Sequence, residues 1–174
     1  MKRLRFLGAL CLLPLFLASG CGYTNHTVLP QDIKTIYVNT VQNKIPLEQT
    51  YVYTPGLEIA ITNAVIRRLH QDGNLHVVKK QDADAVLEAD LTGFQQEGLR
   101  FNSLESTEEF RMFIVMTIRL KNQKTGETIW EEPNFTGDAE YFVSSVRSIG
   151  RDEAAQRAVD RLARNIVDRI VEDW

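Results

Sequence analysis

The residue types most often used for catalysis are few in this sequence, and their spacing does not indicate a reaction. There are three histidines, His26, His70 and His76, and two cysteines, Cys11 and Cys21. No Gly-x-Ser-x-Gly elbow is present, and neither a serine nor a cysteine triad can be assembled from a motif. His70 and His76 lack carboxylates at a spacing typical of metal ligands. The sequence therefore predicts a protein that is not an enzyme and holds no metal.

Carboxylates crowd one short segment, which contains Asp82, Asp84, Glu88 and Asp90. The first two precede a predicted strand, and the second two alternate with apolar residues inside it. Alternation places the polar residues of a strand on its solvated face. We therefore interpret this cluster as a contribution to solubility and not as acid–base chemistry.

The surroundings of Cys21 do indicate chemistry at its thiol. Three small residues at 18–20 precede it, and an apolar run over 6–17 precedes them in turn. Three cations stand before that run: Lys2, Arg3 and Arg5. This order is typical of an export signal, and the apolar run is too short to span a membrane as a helix. It resembles the lipobox of bacterial lipoproteins, with the leucine one place early at Leu17, and predicts removal of residues 1–20 and acylation of Cys21. Cys11 lacks a small-residue triplet and is read as part of the signal.

A lipid on Cys21 would anchor the mature chain beside a membrane. Each buried methylene of such a lipid contributes about 0.8 kcal/mol to membrane binding. After Cys21 there is no run of about 18 apolar residues that would span a bilayer. In lipoproteins of this type an aspartate after the cysteine commonly retains the protein at the inner membrane, and here that residue is Gly22. The predicted location is the periplasmic leaflet of the outer membrane.

Composition limits the remaining function classes. Removing the three cations of the signal from the 20 basic residues leaves 17 against 23 acidic residues, a formal charge of −6. An acidic chain argues against nucleic acid as a partner, because a protein surface that binds nucleic acid needs clustered cations. Cys21 is the only cysteine of the mature chain, which rules out an internal disulfide. The length suits one domain.

The pattern along the chain predicts a polar tether over 21–32 and a single α+β domain over 33–174. Predicted strands cover 33–41, 75–78, 86–95, 109–121 and 128–141, and predicted helices cover about 55–71 and 151–172. Thr54-Pro55 is read as the start of the first helix and Gly73 as its end. A loop over 96–108 and a turn over 122–127 join the long strands, and Pro133 is predicted to confine part of the last strand to an edge or a bulge. This order favours a two-layer sandwich, with two helices on one face of a mostly antiparallel sheet of four to five strands.

Several short motifs, taken in order, resemble the LptE family of lipopolysaccharide-assembly lipoproteins. They include Gly-Cys-Gly-Tyr at 20–23, Leu-Pro at 29–30, Ile-Lys-Thr-Ile at 33–36, Pro-Gly-Leu-Glu at 55–58, Ala-Asp-Ala-Val-Leu at 83–87, Lys-Thr-Gly-Glu at 124–127, Trp-Glu at 130–131, and the closing run from 153 to 163. The resemblance implies a two-helix, four-stranded sandwich that sits inside the outer-membrane β-barrel LptD and helps lipopolysaccharide reach the cell surface. It implies no enzymatic activity.

Lipopolysaccharide carries phosphates, which guanidinium groups bind in a fork. Arg100 lies in the predicted 96–108 loop, and Arg147 and Arg151 lie before the final helix, so these three are the candidate lipopolysaccharide-binding residues. The alternative is that they are solvated charges that balance an acidic chain. Phe101 and Phe142 stand near them in sequence and are candidates for contact with acyl chains, a barrel wall or the core.

The longest predicted strand is apolar on both faces. Its even-numbered residues from Phe110 to Leu120 are all apolar and form one face of the strand. Phe113 and Val115 place apolar groups on the opposite face as well. A sheet covered by helices on one side is ordinarily polar on the other. Either a barrel wall or a lipid contacts this second face, or the two side chains lie beneath the 96–108 loop. An alternative function for the whole protein is a free-standing periplasmic lipoprotein that binds a lipid or an envelope polymer without a barrel.

Overall fold

In the computed structural model the described residues are 33–46, 55–143 and 150–171. They form two helices and one six-stranded sheet. The strands are β1 (Thr35–Val38), β2 (Gln42–Asn43), β3 (His76–Val77), β4 (Ala85–Phe101), β5 (Thr107–Asn122) and β6 (Thr128–Phe142), and the helices are α1 (Leu57–Asp72) and α2 (Arg151–Val171). A short 3₁₀ turn, Lys80–Asp82, precedes β4.

The sheet is mixed, with the order β3-β1-β4-β5-β6, and β2 pairs with β4 beside this path. The long strands β4, β5 and β6 form an antiparallel meander, as predicted. The short strands β1, β2 and β3 make only parallel pairs. The expectation of a mostly antiparallel sheet therefore needs correction on this side. Parallel neighbours need a crossover connection, and α1 provides it between β1 and β3.

The predicted first strand, 33–41, is broken in the structure. β1 ends at Val38, and the amide of Val41 donates to the Thr62 hydroxyl of α1 at 3.0 Å instead of joining the sheet. The chain then pairs again for two residues as β2. Residues rich in β-branched side chains thus support a strand only as far as a neighbouring strand is available to pair with them.

The predicted loop over 96–108 is wrong, because most of it is strand. β4 continues to Phe101 and β5 begins at Thr107, so the connection is a tight turn. The Asn102 side-chain oxygen accepts from the amides of Leu104 and Ser106 at 2.9 and 3.0 Å and holds that turn. Glu97 lies opposite Arg111 across the strands, so cross-strand charge pairing supports this polar extension.

The edge strand β6 carries the irregularity that Pro133 predicts. The β5–β6 register shifts between Met116 and Ile118, opposite the segment that contains Pro133, and Asn134 has a positive φ of 57°. Proline has no amide hydrogen to donate to a ladder, which explains both the edge position and the bulge. The prediction is confirmed.

The boundaries of α1 agree with glycine chemistry. Gly73 has φ of 80°, and its amide donates to the Leu69 carbonyl at 3.0 Å, which confirms the predicted stop. At the other end Gly56 occupies the cap position with φ of 85° and no side-chain cap. Thr54, the predicted capping residue, lies outside the described residues.

The core lies between the helices and one face of the sheet. The even-numbered side chains of β5 from Met112 to Leu120 are fully buried, as are Ile61 and Leu69 of α1 and Leu162 and Ile166 of α2. This is the predicted sandwich with both helices on the sheet. Among the described residues helices cover only this face, so the odd-numbered residues of β5 belong to the other, which we call the open face.

Candidate functional site

One end of the sheet concentrates exposed apolar side chains. Four of the five large hydrophobic residues that are exposed among the described residues lie at the end of β4, in the β4–β5 turn or just beyond β6: Leu99, Phe101, Leu104 and Val143. Antiparallel pairing places the end of β4, the start of β5 and the end of β6 at the same edge. We call this group, together with Arg100, the hairpin end. Contiguous exposed apolar surface marks a binding site more often than a solvated one.

Arg100 is positioned to present a charge among these apolar groups. Its side chain is 64% exposed, and its Nε lies 3.5 Å from a carboxylate oxygen of Glu109 across the strand pair. The Glu109 side chain is only 12% exposed, but the separation is longer than an ordinary hydrogen bond, so the pair restrains the guanidinium weakly. The remaining donors of Arg100 are therefore accessible to an anion such as a phosphate.

The other two candidate arginines are placed differently. Arg151 is exposed and begins α2. Arg161 donates to Asp138 at 2.9 Å and Arg169 to Glu132 at 2.7 Å, so α2 runs opposite to β6 and starts near the end where β6 finishes. Arg151 thus shares an end of the fold with Arg100. Arg147 lies outside the described residues, as does Cys21.

The two candidate aromatic residues separate in the structure. Phe101 is 59% exposed at the hairpin end, whereas Phe142 is half-buried at the last position of β6. Beside them Phe110 stacks on Tyr141 with 5.5 Å between ring centroids. Sequence reasoning missed Leu99 and Leu104, although two leucines in a segment taken for a polar loop were a signal.

The open face has an apolar middle and charged borders. Phe113 and Val115 are half-buried and lie opposite Gln95 and Gly93 of β4. The interpretation that the 96–108 segment covers them is wrong, because residues 96–101 extend β4 within the sheet instead of folding over its face. The alternative, contact with a surface outside this domain, stays a prediction.

The charged borders of the open face consist of ion pairs, in which the arginines bind neighbouring carboxylates. Arg119 donates to Asp90 at 2.8 Å and to Glu131 at 3.2 Å, bridging three strands. The Asp90 carboxylate raises the pKa of Arg119, and Glu140, which accepts from Arg111, raises the pKa of that guanidinium. Both arginines therefore bind carboxylates of neighbouring strands within the sheet.

The carboxylate cluster is more structural than its sequence suggests. Asp84 accepts from the Lys124 ammonium at 3.0 Å, from the Thr35 hydroxyl at 2.8 Å and from the amides of Lys34 and Thr35 at 3.2 Å. The Lys124 bond, followed by the Thr35 and Lys34 bonds, holds the pKa of Asp84 well below its ordinary range. Solubility alone is therefore an incomplete interpretation: Asp84 ties the start of β1 to the β5–β6 turn.

Neither a cluster of metal-ligating side chains nor a membrane-spanning helix is present in the part of the chain that the structure describes. Within 33–46, 55–143 and 150–171, no group of three or more His, Cys, Asp or Glu side chains is placed to hold a metal ion. His70 and His76 are both exposed. Within the same ranges neither helix is long and apolar enough to cross a bilayer.

Comparison with known proteins gives a family and a fold. The family model LptE, described as lipopolysaccharide-assembly, matches residues 33–174. The hypothetical protein CT253 from Chlamydia trachomatis is similar in structure, with a TM-score of 0.53 and 15% identity over 79% of this chain and 95% of that one. Protein XCC0632 from Xanthomonas campestris gives a TM-score of 0.50 and 15% identity over 83% and 87%. At these identities the structures support the fold alone. No curated protein matches the sequence.

Proposed function

Because this chain belongs to the LptE family of lipopolysaccharide-assembly proteins, we propose that it plugs and stabilises an LptD-type β-barrel in the outer membrane and assists lipopolysaccharide transport to the cell surface. The family is non-enzymatic, so its members act by binding and not by catalysis. In this proposal residues 1–20 are a removed signal, 21–32 a tether and 33–174 the functional domain.

The hairpin end is the observation that carries the lipopolysaccharide part of the proposal. Leu104 is 82% exposed, and Phe101 and Val143 are each exposed by about 60%. Burying such side chains is favourable by about 25 cal/mol per Å² of apolar surface, and acyl chains offer a surface to bury them. Arg100 stands among them with donors free for a phosphate. An amphipathic lipid with a phosphorylated head group matches both halves of this arrangement.

The open face supports the barrel part of the proposal. Its borders are ion pairs such as Lys121 with Glu88 at 2.8 Å, and its middle is Phe113 and Val115. The interior of an outer-membrane barrel is lined by polar residues, and charged borders around a small apolar centre suit such a wall. Both features belong to one antiparallel meander, β4–β5–β6, and therefore lie on the same surface.

A lipid on Cys21 would determine where the domain is held relative to the membrane. Eleven residues, 22–32, separate that cysteine from the first described residue. A fully extended chain spans at most about 3.3–3.6 Å per residue, so this tether reaches roughly 40 Å from the bilayer. That reach keeps the domain at the periplasmic mouth of a barrel in the same membrane.

Co-purification tests the proposal. The full-length acylated chain carrying a C-terminal tag is captured from membranes in mild detergent, and its companions are identified by mass spectrometry and sized by gel filtration. We expect one large outer-membrane barrel in stoichiometric amount. A chain recovered alone, at the size of one domain, would overturn the plug and favour a free-standing lipoprotein that binds a lipid or an envelope polymer.

A further inference from the structure

A polar cleft lies between the two helices, on their side away from the sheet. It has a volume of about 390 Å³. Its lining residues come from both helices: Ala64, Arg67, Arg68 and Gln71 of α1, and Gln156, Asp160, Ala163 and Arg164 of α2. We call it the interhelix cleft. The two alanines are buried and short, whereas the others are long and polar, so the walls carry hydrogen-bonding groups above a small apolar floor.

The charge of the interhelix cleft is positive. Three guanidinium groups line it against one carboxylate, Asp160. A second carboxylate, Asp168, lies near the cleft beside Arg68 but not in its lining. This excess of cations stands out in a chain whose formal net charge is negative.

The cleft arginines are loosely paired. Arg67 lies 3.9 Å from Asp160, and Arg68 lies 3.7 Å from Asp168; both separations exceed hydrogen-bond length. Arg164 has no carboxylate within 4.0 Å among the described residues. On the open face, by contrast, Arg119 donates at 2.8 and 3.2 Å. Arg119 thus has close carboxylate partners, whereas Arg67 and Arg68 make no hydrogen bond to theirs.

One of these donors is also shielded from water. The Nε of Arg68 is buried and has no hydrogen-bond partner within the described part of the chain. A desolvated donor of a charged group is costly unless a counter-charge is close, and the attraction between charges strengthens as water is excluded. An anion bound by the accessible guanidinium nitrogens of Arg68 would offset that cost.

We propose that the interhelix cleft is a phosphate-binding site. A phosphate offers several strong acceptor oxygens around one centre, and the cleft offers guanidinium forks from two helices together with the amides of Gln71 and Gln156. Its occupant is a phosphate-bearing anion, either free phosphate or the head group of a phospholipid. The site is separate from the hairpin end and does not depend on the barrel partnership.

The test uses the acylated full-length protein in detergent micelles and two probes. Inorganic phosphate is titrated by calorimetry, and phosphatidic acid is then titrated in mixed micelles against phosphatidylcholine. Arg67→Gln and Arg164→Gln remove one cleft guanidinium each. Arg157→Gln is the matched control, because it removes the same charge from an exposed position of α2 where the partner is Glu153 at 2.8 Å. Circular dichroism verifies that each variant is folded.

We expect each cleft variant to bind phosphate at least about tenfold more weakly, which corresponds to about 1.4 kcal/mol, because it loses one charged hydrogen-bond donor. Arg157→Gln should bind like the parent. Binding of both probes would identify an accessible head-group site, and binding of inorganic phosphate alone would identify a site for the free anion. Equal losses in all three variants, or no binding of either probe, would overturn the proposal. Capture of a barrel is scored separately, so the two proposals fail independently.

Discussion

Gly137 lies directly beneath Leu162, so closely that a Cβ built on the glycine would stand 2.5 Å from the Leu162 Cβ and 2.6 Å from the Ala158 carbonyl oxygen. The absence of a side chain at this position of β6 therefore sets how closely α2 approaches the sheet. Farther along the helix Asn165 donates to the Thr136 carbonyl at 3.2 Å and satisfies part of the exposed edge. Together these contacts fix α2 along β6.

Replacing Gly137 with alanine is expected to lower the free energy of unfolding by about 1–3 kcal/mol, because the new methyl forces helix backbone and not only a flexible side chain to move. Chemical denaturation measures this change. Gly93→Ala is the matched control: its Cβ would meet the Val115 Cβ at an ordinary 3.5 Å. Equal stability of the two variants would contradict the close approach.

Asp84→Asn is expected to destabilise the fold at neutral pH by about 1.5–3 kcal/mol, the range for hydrogen bonds that involve a charged group. The Lys124 side chain is 71% exposed, so solvent screening reduces its contribution to this stabilisation. The folded-state pKa of Asp84 lies below its unfolded value, so the stabilisation is present above the ordinary aspartate pKa and disappears as the pH falls below it.

Denaturation over a pH series tests the sign of that effect. The difference between parent and Asp84→Asn should narrow steadily as the pH drops from about 5 towards 2. Asp82→Asn, at an exposed position two residues away, should follow the parent throughout. A gap that stays constant with pH would show that the carboxylate charge is not what stabilises β1 and the β5–β6 turn.

Charge reversal of Arg100 to glutamate should weaken lipopolysaccharide binding by about tenfold while capture of the barrel is unchanged. The reversal places a carboxylate opposite Glu109, whose side chain is only 12% exposed, so the free energy of unfolding should fall by about 1 kcal/mol and the domain should stay folded. Lys80→Glu, an exposed reversal at the opposite end of the sheet, is the control. Undiminished binding would remove Arg100 from the lipid contact. The same reversal at Arg147 and at Arg151 extends the test to the other candidate residues.

Phe113→Gln should reduce the amount of barrel that co-purifies without unfolding the domain. The side chain is half-buried on the open face, so its loss is expected to cost less than about 1.5 kcal/mol of folding free energy. Ile59→Gln, at an apolar position of α1 that is 61% exposed, tests whether any surface hydrophobic residue has the same effect. Full capture by Phe113→Gln would leave the open face without a role in docking.

Cys21→Ser should abolish acylation and release the chain from membranes, whereas Cys11→Ser should leave both unchanged. Mass spectrometry of the mature N-terminus and membrane fractionation read the two outcomes. An acylated, membrane-bound Cys21→Ser protein would place the anchor elsewhere. This prediction depends on sequence alone, because residues 1–32 lie outside the described ranges.

Elements with a strong period were predictable before the fold was known. The apolar stripe that includes Leu162 and Ile166 predicted α2 to within one residue at its end, and Gly73 predicted the stop of α1. Both signals are local: a stripe repeats within one helix, and a glycine adopts its left-handed conformation wherever the chain turns. Of the candidate site, the sequence predicted only that an arginine, Arg100, lies in the connection between two long strands.

The parts that could not be predicted depend on partners distant in sequence. Strand direction does not affect alternation, so nothing in the residues of β1 indicates that it runs parallel to β4. The sequence of the polar extension of β4 and β5 predicts a loop, and only the structure shows that Glu97 lies opposite Arg111 in a strand pair. The interhelix cleft likewise brings Arg67 near Arg164, from helices that are far apart in sequence.

By itself the sequence determined the two amphipathic helices, the long strands, the acylation motif and the family resemblance, because each depends on residues that are neighbours along the chain. The tertiary structure alone decided which faces stay open, which arginines are paired and which apolar side chains gather at the hairpin end. Burial and charge pairing are set by residues that folding brings together, and a one-dimensional pattern does not contain their distances.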